Sequence, residues 1–298
     1  MGGPGSSSAT LGLDLGGTKI AAGVLLGEEL VSFVERPTPR GGAAVVGALA
    51  EAAREALGGR SVVAAGVGTP GPLDFDRGVV RFAPNLPGLK NFPLRARLEA
   101  ALGLPVVLEN DANAAALAEH HLGAARGARH SLFVTVSTGI GGGVIVDGRV
   151  HRGAFGQGGE VGHLTVLPGG PLCGCGNRGC LEAVASGRAL ERDAAYAYGR
   201  PVPVPELFAR NDAKARALIE GAAGHLGLAL ASLQRVFDPE VIVLGGGVAL
   251  GGGAAFLRRI EAAYRGHLRG WRRAPLRLAR LGREAGVIGA ALAARTAR

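Results

Sequence analysis

Leu11-Gly-Leu-Asp14-Leu-Gly16-Gly17-Thr18-Lys19-Ile-Ala-Ala-Gly-Val-Leu-Leu26 reads as an apolar strand, a tight glycine turn and a second apolar strand. Gly27-Glu28-Glu29 then turns into a third strand, Leu30 to Glu35. The same pattern returns at Ser131-Leu-Phe-Val-Thr-Val-Ser137-Thr138-Gly139-Ile-Gly-Gly-Gly143-Val-Ile-Val-Asp147-Gly148-Arg-Val: strand, Gly/Thr loop, strand, Asp-Gly hairpin turn, strand. A repeat of this kind implies two related lobes. Either loop alone reads equally well as an ordinary hairpin. Two of them in corresponding positions, each offering backbone N–H groups and hydroxyls, suit a polyphosphate gripped from both sides of a cleft.

Other ways of binding nucleotides are excluded. No Gly-Lys dipeptide occurs, so there is no Walker A loop. Gly66-Val-Gly68-Thr-Pro70-Gly71 matches the dinucleotide fingerprint only formally. Two prolines interrupt it, and Leu73 to Gly78 reads as a turn where that unit needs a helix.

Helical spacing is expected over Ala43 to Leu57, Leu94 to Leu102, Ala114 to Leu122, Arg188 to Tyr198, Ala213 to Val236, Ala254 to His267 and Glu284 to Thr296. Val62 to Val67, Pro105 to Glu109, Val241 to Leu244 and Leu276 to Leu281 read as strands. Asn110-Asp111-Ala-Asn113 places a carboxylate and two amides at a strand-to-helix junction, where open α/β sheets bind ligands. The plainer alternative is that Asp111 or Asn113 merely caps the helix. Asn85, in an irregular Pro-rich stretch, can present its amide to a ligand. Gly245-Gly246-Gly247 at a strand end lets a flat ring lie against the backbone, although chain reversal alone also explains it.

All three cysteines fall in one short loop, Cys173-Gly-Cys175-Gly-Asn-Arg-Gly-Cys180, with His163 just upstream. Three thiolates and an imidazole are the ligand set of a closed structural zinc site. The bland alternative is three idle cysteines beside an unrelated histidine. Glu160 and Glu182 bracket these ligands and are free to face a polyhydroxylated molecule. Clustered cysteines with metal spacing fit a reducing cytoplasm.

Of 298 residues, 47% are hydrophobic, enough for sizeable cores. Aromatics make up only 4%, so Ala, Val and Leu must build them. The net charge of +9 is carried almost wholly by arginine. The arginines are scattered without interleaved aromatics, which argues against nucleic acid and for a solvated surface. The longest uncharged run, Val241 to Leu257, is broken by two glycine triplets, so no membrane span is expected. Residues 1–10 are Gly/Ser-rich, lack the features of a signal peptide and read as a flexible leader.

His163 followed by Cys-x-Cys-Gly-x-x-Gly-Cys-x-Glu resembles the zinc signature of the ROK family of bacterial sugar kinases and sugar-responsive repressors. The resemblance runs from Leu11 to Ala294. Asp14-x-Gly-Gly-Thr-Lys and Ser137-Thr-Gly-Ile-Gly-Gly-Gly are similar to the family's two phosphate motifs, with Ser137 where glycine is usual. Gly245-Gly-Gly-Val is similar to its adenosine motif. Ala83-Pro-Asn85, Glu109-Asn110-Asp111 and Gly159-Glu160-Val-Gly-His163 are similar to its sugar motifs. The repressors carry a helix-turn-helix module before the first hairpin, and only ten residues stand there, so the kinase branch is implied.

The resemblance implies an α/β fold of the duplicated, two-lobed actin-like (ribonuclease H-like) ATPase type, with a cleft between lobes. Residues 11–120 would form the N-terminal lobe, with the helix 283–298 packing back on it, and 121–282 the C-terminal lobe. It implies ATP-dependent phosphorylation of a hexose, foremost glucose at O6; fructose, mannose, an N-acetylhexosamine or a non-catalytic sugar-sensing role are the alternatives. Asp111 would accept the hydroxyl proton, and Asn85, Asn110, Glu160, His163 and Glu182 would hold the other hydroxyls. Asp14 would orient Mg²⁺ through water. Gly16, Gly17, Thr18, Lys19, Thr138 and Gly139 would hold phosphates, and Gly246 and Gly247 adenosine. His163, Cys173, Cys175 and Cys180 would bind a structural Zn²⁺. A cytoplasmic homo-oligomer, dimer or tetramer, is expected.

Overall fold

The structure is a computed structural model that describes residues 9–83 and 85–296. Two compact units divide the chain. The first runs to Leu122 and includes Arg152–Gly158 and the stretch from Arg283 onward. The second comprises Gly123–His151 and Gly159–Gly282. Arg152–Gly158 lies in the span that the sequence reading gave to the second lobe, but clusters with the first. Of the expected leader, residues 1–8 lie outside the described residues, and Thr10 opens the first strand opposite Leu25.

In the first unit, Thr10–Leu15 (β1), Lys19–Leu26 (β2) and Glu29–Pro37 (β3) form an antiparallel meander. Helix α1 (Gly42–Leu57) follows, then Ala65–Thr69 (β4) and a small hairpin of Leu73–Asp74 (β5) and Val79–Val80 (β6). Helix α2 (Leu94–Leu102), strand β7 (Val106–Asn110) and helix α3 (Asp111–His121) complete the run. The sheet order is β3-β2-β1-β4-β7, with β1, β4 and β7 parallel. Leu11, Leu13, Leu15, Ile20 and Val67 lie in its core with no exposure. The C-terminal helix Ala285–Thr296 packs on this sheet and on α3. A Cβ at Gly66 would overlap the Ala290 carbonyl, and one at Gly289 the Ala114 carbonyl, so glycine sets this close approach.

The second unit repeats the plan. Ser131–Val136 (β8), Ile140–Val146 (β9) and Arg149–Val150 (β10) form the meander. Helices α4 (Leu181–Ala185), α5 (Gly187–Tyr198), α6 (Val204–Ala209) and α7 (Ala213–Phe237) precede strand β11 (Val241–Gly245). Helix α8 (Gly246–His267), strand β12 (Leu276–Leu278) and the terminal helix, α9, close the chain. The order β10-β9-β8-β11-β12 matches the first sheet strand for strand. Phe256 is among the largest side chains of this core, and burying such a ring contributes about 1.5–3 kcal/mol. Tyr264 is buried beside it and donates its hydroxyl to Gln234 Oε1 at 2.8 Å, so its polar tip is satisfied.

Several boundaries differ from the sequence reading; helix α3, for one, begins at Asp111 instead of Ala114, because Asn110 caps it. Strand β4 begins at Ala65 instead of Val62, because Leu11–Asp14 pairs with Ala65–Gly68 and leaves Val63 exposed. Helix α8 begins at Gly246 instead of Ala254, and a non-helical Gly253 (φ 55°) kinks it, which is why the glycines hid its first turns. Strand β12 stops at Leu278 instead of Leu281, as far as β11 pairs with it. Among the described residues, no helix is long and apolar enough to cross a membrane.

Candidate functional site

Parallel register explains which side chains meet in the first unit. Asp14 on β1 stands opposite Gly68 on β4, and Gly68 opposite Glu109 on β7, all near the carboxyl ends of their strands. A Cβ at Gly68 would lie 3.7 Å from Asp14 Oδ1 and 3.8 Å from Asp111 Cα. A Cβ at Gly286, in the first turn of α9, would overlap the Asp14 carboxylate. Asp14 therefore sits between backbone elements with no side chain in the way. Burial, and after it the Asp111 charge, pushes the Asp14 carboxyl up to about 7. Burial also raises Asp111 above the ordinary carboxylate range.

The helix-cap alternative for Asp111 and Asn113 does not hold. Asn110 is the cap: its Oδ1 accepts from Ala112 N at 2.9 Å and Asn113 N at 3.2 Å. This leaves Asn110 Nδ2 as the donor end, 3.6 Å from where a Cβ of Gly71 would stand. Asp111 is the first helical residue and accepts from Ala112 N at 2.8 Å. Asn113 turns its amide to Glu109 Oε1 at 3.1 Å.

The turn Gly16–Lys19 is closed by Gly16 N donating to Lys19 O at 2.9 Å. Thr38, which sequence reasoning missed, braces it by donating its hydroxyl to Gly16 O at 2.7 Å and its N–H to Thr18 O at 3.0 Å. Gly17 and Thr18 are exposed. A Cβ at Gly17 would meet Asn85 Cβ at 2.9 Å, so Asn85 belongs beside this turn. Pro84 of the same motif lies outside the described residues. Lys19 is exposed, its Nζ 2.6 Å from Glu35 Oε1.

In the second unit the corresponding turn is Ser137-Thr138-Gly139. Gly187 N donates to Ser137 O at 2.8 Å, which seats helix α5 on the turn. Glu182 Oε2 accepts from Ile140 N at 2.9 Å, so this carboxylate ties α4 to the same hairpin. Gly246 has φ 86°, and a Cβ there would overlap Val136 O. A Cβ at Gly247 would stand 3.9 Å from Ser137 Oγ. Beside these groups opens a cavity of about 380 Å³, whose walls include Thr138, Arg188, Phe208, Gly247, Val248 and Gly251. Phe208 and Val204, also in its wall, were not foreseen, because α6 reaches the cavity only through tertiary packing.

The loop ligands converge. One donor atom from each of His163, Cys173, Cys175 and Cys180 lies within 4.8 Å of the others. Cys173 Sγ is 3.6 Å from His163 Nδ1, and Cys175 Sγ is 3.7 Å from Cys180 Sγ. Zinc–sulfur bonds of about 2.3 Å in a tetrahedron give edges of about 3.8 Å, so the set fits that ion. Burial, then the neighbouring thiols, pushes Cys180 up to about 12, while backbone hydrogen bonding lowers Cys175. Glu160 immediately precedes the short 3₁₀ turn Val161–His163, makes no side-chain capping bond to it and is exposed. The expected hydroxyl-holding residues thus divide: Asn85, Asn110 and Asp111 belong to the first unit, Glu160, His163 and Glu182 to the second.

Two copies of one sheet plan, each ending in a glycine-hydroxyl turn, define a duplicated α/β protein of the actin-like ATPase class. The chain belongs to the ROK family, whose model matches residues 10–297. It is similar to the glucokinase of Streptomyces coelicolor, at 41% identity over 96% of this chain and 97% of that one. It is also similar to the crystal structure of a ROK hexokinase from Thermus thermophilus, with 60% identity, a TM-score of 0.91, and 97% and 98% of the two chains covered. A third likeness is to a ROK glucokinase from Streptomyces griseus in complex with glucose and AMPPNP, with 39% identity, a TM-score of 0.84, and 97% and 99% covered.

Proposed function

We propose that this chain is an ATP-dependent hexose kinase that transfers the γ-phosphoryl group of ATP to O6 of glucose. The observation that carries the reading is the Asp111 carboxylate. It stands at the first position of α3, is set there by the Asn110 cap, and lies beside a second carboxylate, Asp14, in a chain whose relatives include named glucokinases.

Phosphoryl transfer asks a protein for positioning and charge stabilisation more than for covalent chemistry. Asp111 accepts the proton of the attacking hydroxyl, and its raised pKa keeps it basic enough to hold that proton. Asn85, Asn110, Glu160, His163 and Glu182 hold the remaining hydroxyls. The turns Gly16–Lys19 and Thr138-Gly139 hold phosphates. The cavity beside Gly246 and Gly247 receives adenosine, with Phe208 and Val248 in its wall. Asp14 would hold Mg²⁺, and the ion would supply positive charge to offset that of the phosphates.

His163, Cys173, Cys175 and Cys180 would hold a structural Zn²⁺, which would pin the loop that carries Glu160 and leads into Glu182. His163 turns Nδ1 toward the thiols, which leaves Nε2 for the sugar. A homo-oligomer in the cytoplasm is the setting this reading expects. The test is ADP release coupled to a sugar panel of glucose, mannose, fructose, N-acetylglucosamine and N-acetylmannosamine, scored by kcat/KM. A preference for any sugar other than glucose replaces the substrate; no sugar-dependent ADP release removes the activity.

A further inference from the structure

Glu109 is a carboxylate with no solvent exposure, and the phosphoryl transfer described above gives it no part. Its Oε1 accepts from Asn110 N at 3.0 Å and from Asn113 Nδ2 at 3.1 Å. Its Oε2 accepts from Arg152 Nε at 3.0 Å and, at short range, from Arg152 Nη2. Four donors therefore surround a buried anion. Arg152 also lies over the Phe75 ring, 5.3 Å from its centroid, so its plane is held from a second side.

The donors on Oε1 are what give this pair a meaning beyond packing. Asn110 and Asn113 flank Asp111 on either side, the first as helix cap and the second in the first turn. Asn113 Oδ1 is buried and has no hydrogen-bond partner among the described residues, so that amide takes its orientation from Glu109. Where Glu109 points thus decides how the β7–α3 turn is held. Where Glu109 points is decided by Arg152, which comes from Arg152–Gly158, a segment far along the chain. A buried ion pair is a poor source of net stability, since apolar residues of like volume commonly serve as well. What the two-toothed guanidinium adds is fixed geometry.

We propose that Arg152 and Glu109 are positioning residues: the guanidinium locks the buried carboxylate, which holds the Asn110–Asn113 turn and so aims the Asp111 carboxylate. This rests on the reading of Asp111 as proton acceptor. The competing explanation is that the pair only anchors Arg152–Gly158 to the sheet, which predicts lost stability and unchanged turnover per folded molecule.

The experiment compares full-length parent, Arg152→Ala, Arg152→Lys, Glu109→Gln and the Arg152→Ala/Glu109→Gln double variant by steady-state kinetics and melting curves. Misplacing a reacting group by about 1 Å costs on the order of a hundredfold, so kcat of Arg152→Ala and Glu109→Gln should each fall about tenfold to a hundredfold. The glucose KM should rise with it through Asn110, and the ATP KM should stay within about twofold. The double variant should lose no more than the worse single one, because the two residues act as a unit. Guanidinium chloride at millimolar concentration should partly restore Arg152→Ala. A kcat within about threefold of the parent, with only the melting temperature lowered, overturns the proposal. If Arg152→Ala does not fold, Arg152→Lys decides: charge kept and fork lost should still lower kcat, and parental kcat there overturns the proposal. A parent without sugar-dependent ADP release would instead sink the kinase reading on which it stands.

Discussion

Asp14 Oδ1 and Asp111 Cα lie 3.7 Å and 3.8 Å from the same point, the place where a Cβ of Gly68 would stand. A Cβ there would make only ordinary contacts, Ala114 Cβ at 3.4 Å being the nearest, so the point is close enough to both carboxylate-bearing elements that little more than a methyl group fits between them. Their closeness has an electrostatic cost, because the Asp111 charge adds to burial in raising Asp14 to about 7.

A raised carboxyl pKa means that the folded chain holds its proton more tightly than the unfolded chain. The folded state is therefore favoured below the unfolded value near 3.8, and that advantage is lost as pH rises through about 7. Asp14→Asn removes the loss. In the absence of Mg²⁺ and nucleotide, the variant should be more stable than the parent at pH 8 by on the order of 2–4 kcal/mol, with the difference shrinking toward pH 4. Urea unfolding at several pH values measures it. Parallel stability profiles for the two proteins would show that Asp14 titrates normally.

If Mg²⁺ binds at Asp14 as proposed, the same titration should govern it. A cation at Asp14 must displace the proton, so the Mg²⁺ concentration giving half-maximal rate should rise about tenfold per pH unit below 7 and level off above it. Glucose affinity by calorimetry should not follow that trend. A Mg²⁺ requirement that is flat between pH 6 and 8 would place the metal elsewhere.

Asp111→Asn should lower kcat by about 10²–10⁴ while both ligands still bind. Because Asn110 caps α3, the substitution leaves the cap untouched, and since burial raises the Asp111 carboxyl the melting temperature should hold or rise above neutral pH. Turnover within a few-fold of the parent would take Asp111 out of the mechanism.

The zinc prediction contrasts two readouts. Cys180 is fully buried at the start of α4, two residues before Glu182, whose carboxylate accepts from Ile140 N. The parent should contain one zinc per chain, and Cys180→Ser should lose it and weaken glucose binding more than ATP binding. Elemental analysis finding no zinc in unchelated parent protein would end this reading.

Both hairpins, the cysteine loop and the Asn110-Asp111 junction were legible because each is a local pattern: alternation, glycine at a turn, spacing of thiols. What escaped is non-local. Thr38 braces Gly16 from 22 residues away, and Arg152 reaches Glu109 from 43 residues away. No periodicity announces either. The cap was misplaced because Asn110, Asp111 and Asn113 are all good capping residues, and only the backbone at Asn110, extended at ψ 143°, selects one of them. Helix α8 was begun too late because glycine triplets read as loop, while Phe256 and Ile260 inside the core hold the later turns in place.

Gly251 offers the most selective test of the adenosine cavity. It lies in the first part of α8, before the kink at Gly253, and lines the cavity of about 380 Å³. A Cβ built on it meets nothing within 4 Å, and its φ is not positive. Gly251→Leu should therefore enter without strain, and leucine in place of glycine favours a helix by about 0.8 kcal/mol. Gly251 is exposed and lines the cavity, so a leucine side chain there has room to lie across it. If adenosine occupies that space, the ATP KM should rise tenfold or more while glucose affinity, measured by calorimetry without nucleotide, is unchanged. The melting temperature should hold or increase slightly. A lost fold would instead lower both affinities together, so the two outcomes are separable. An ATP KM equal to the parent's would show that the nucleotide base lies outside the cavity lined by Phe208 and Val248.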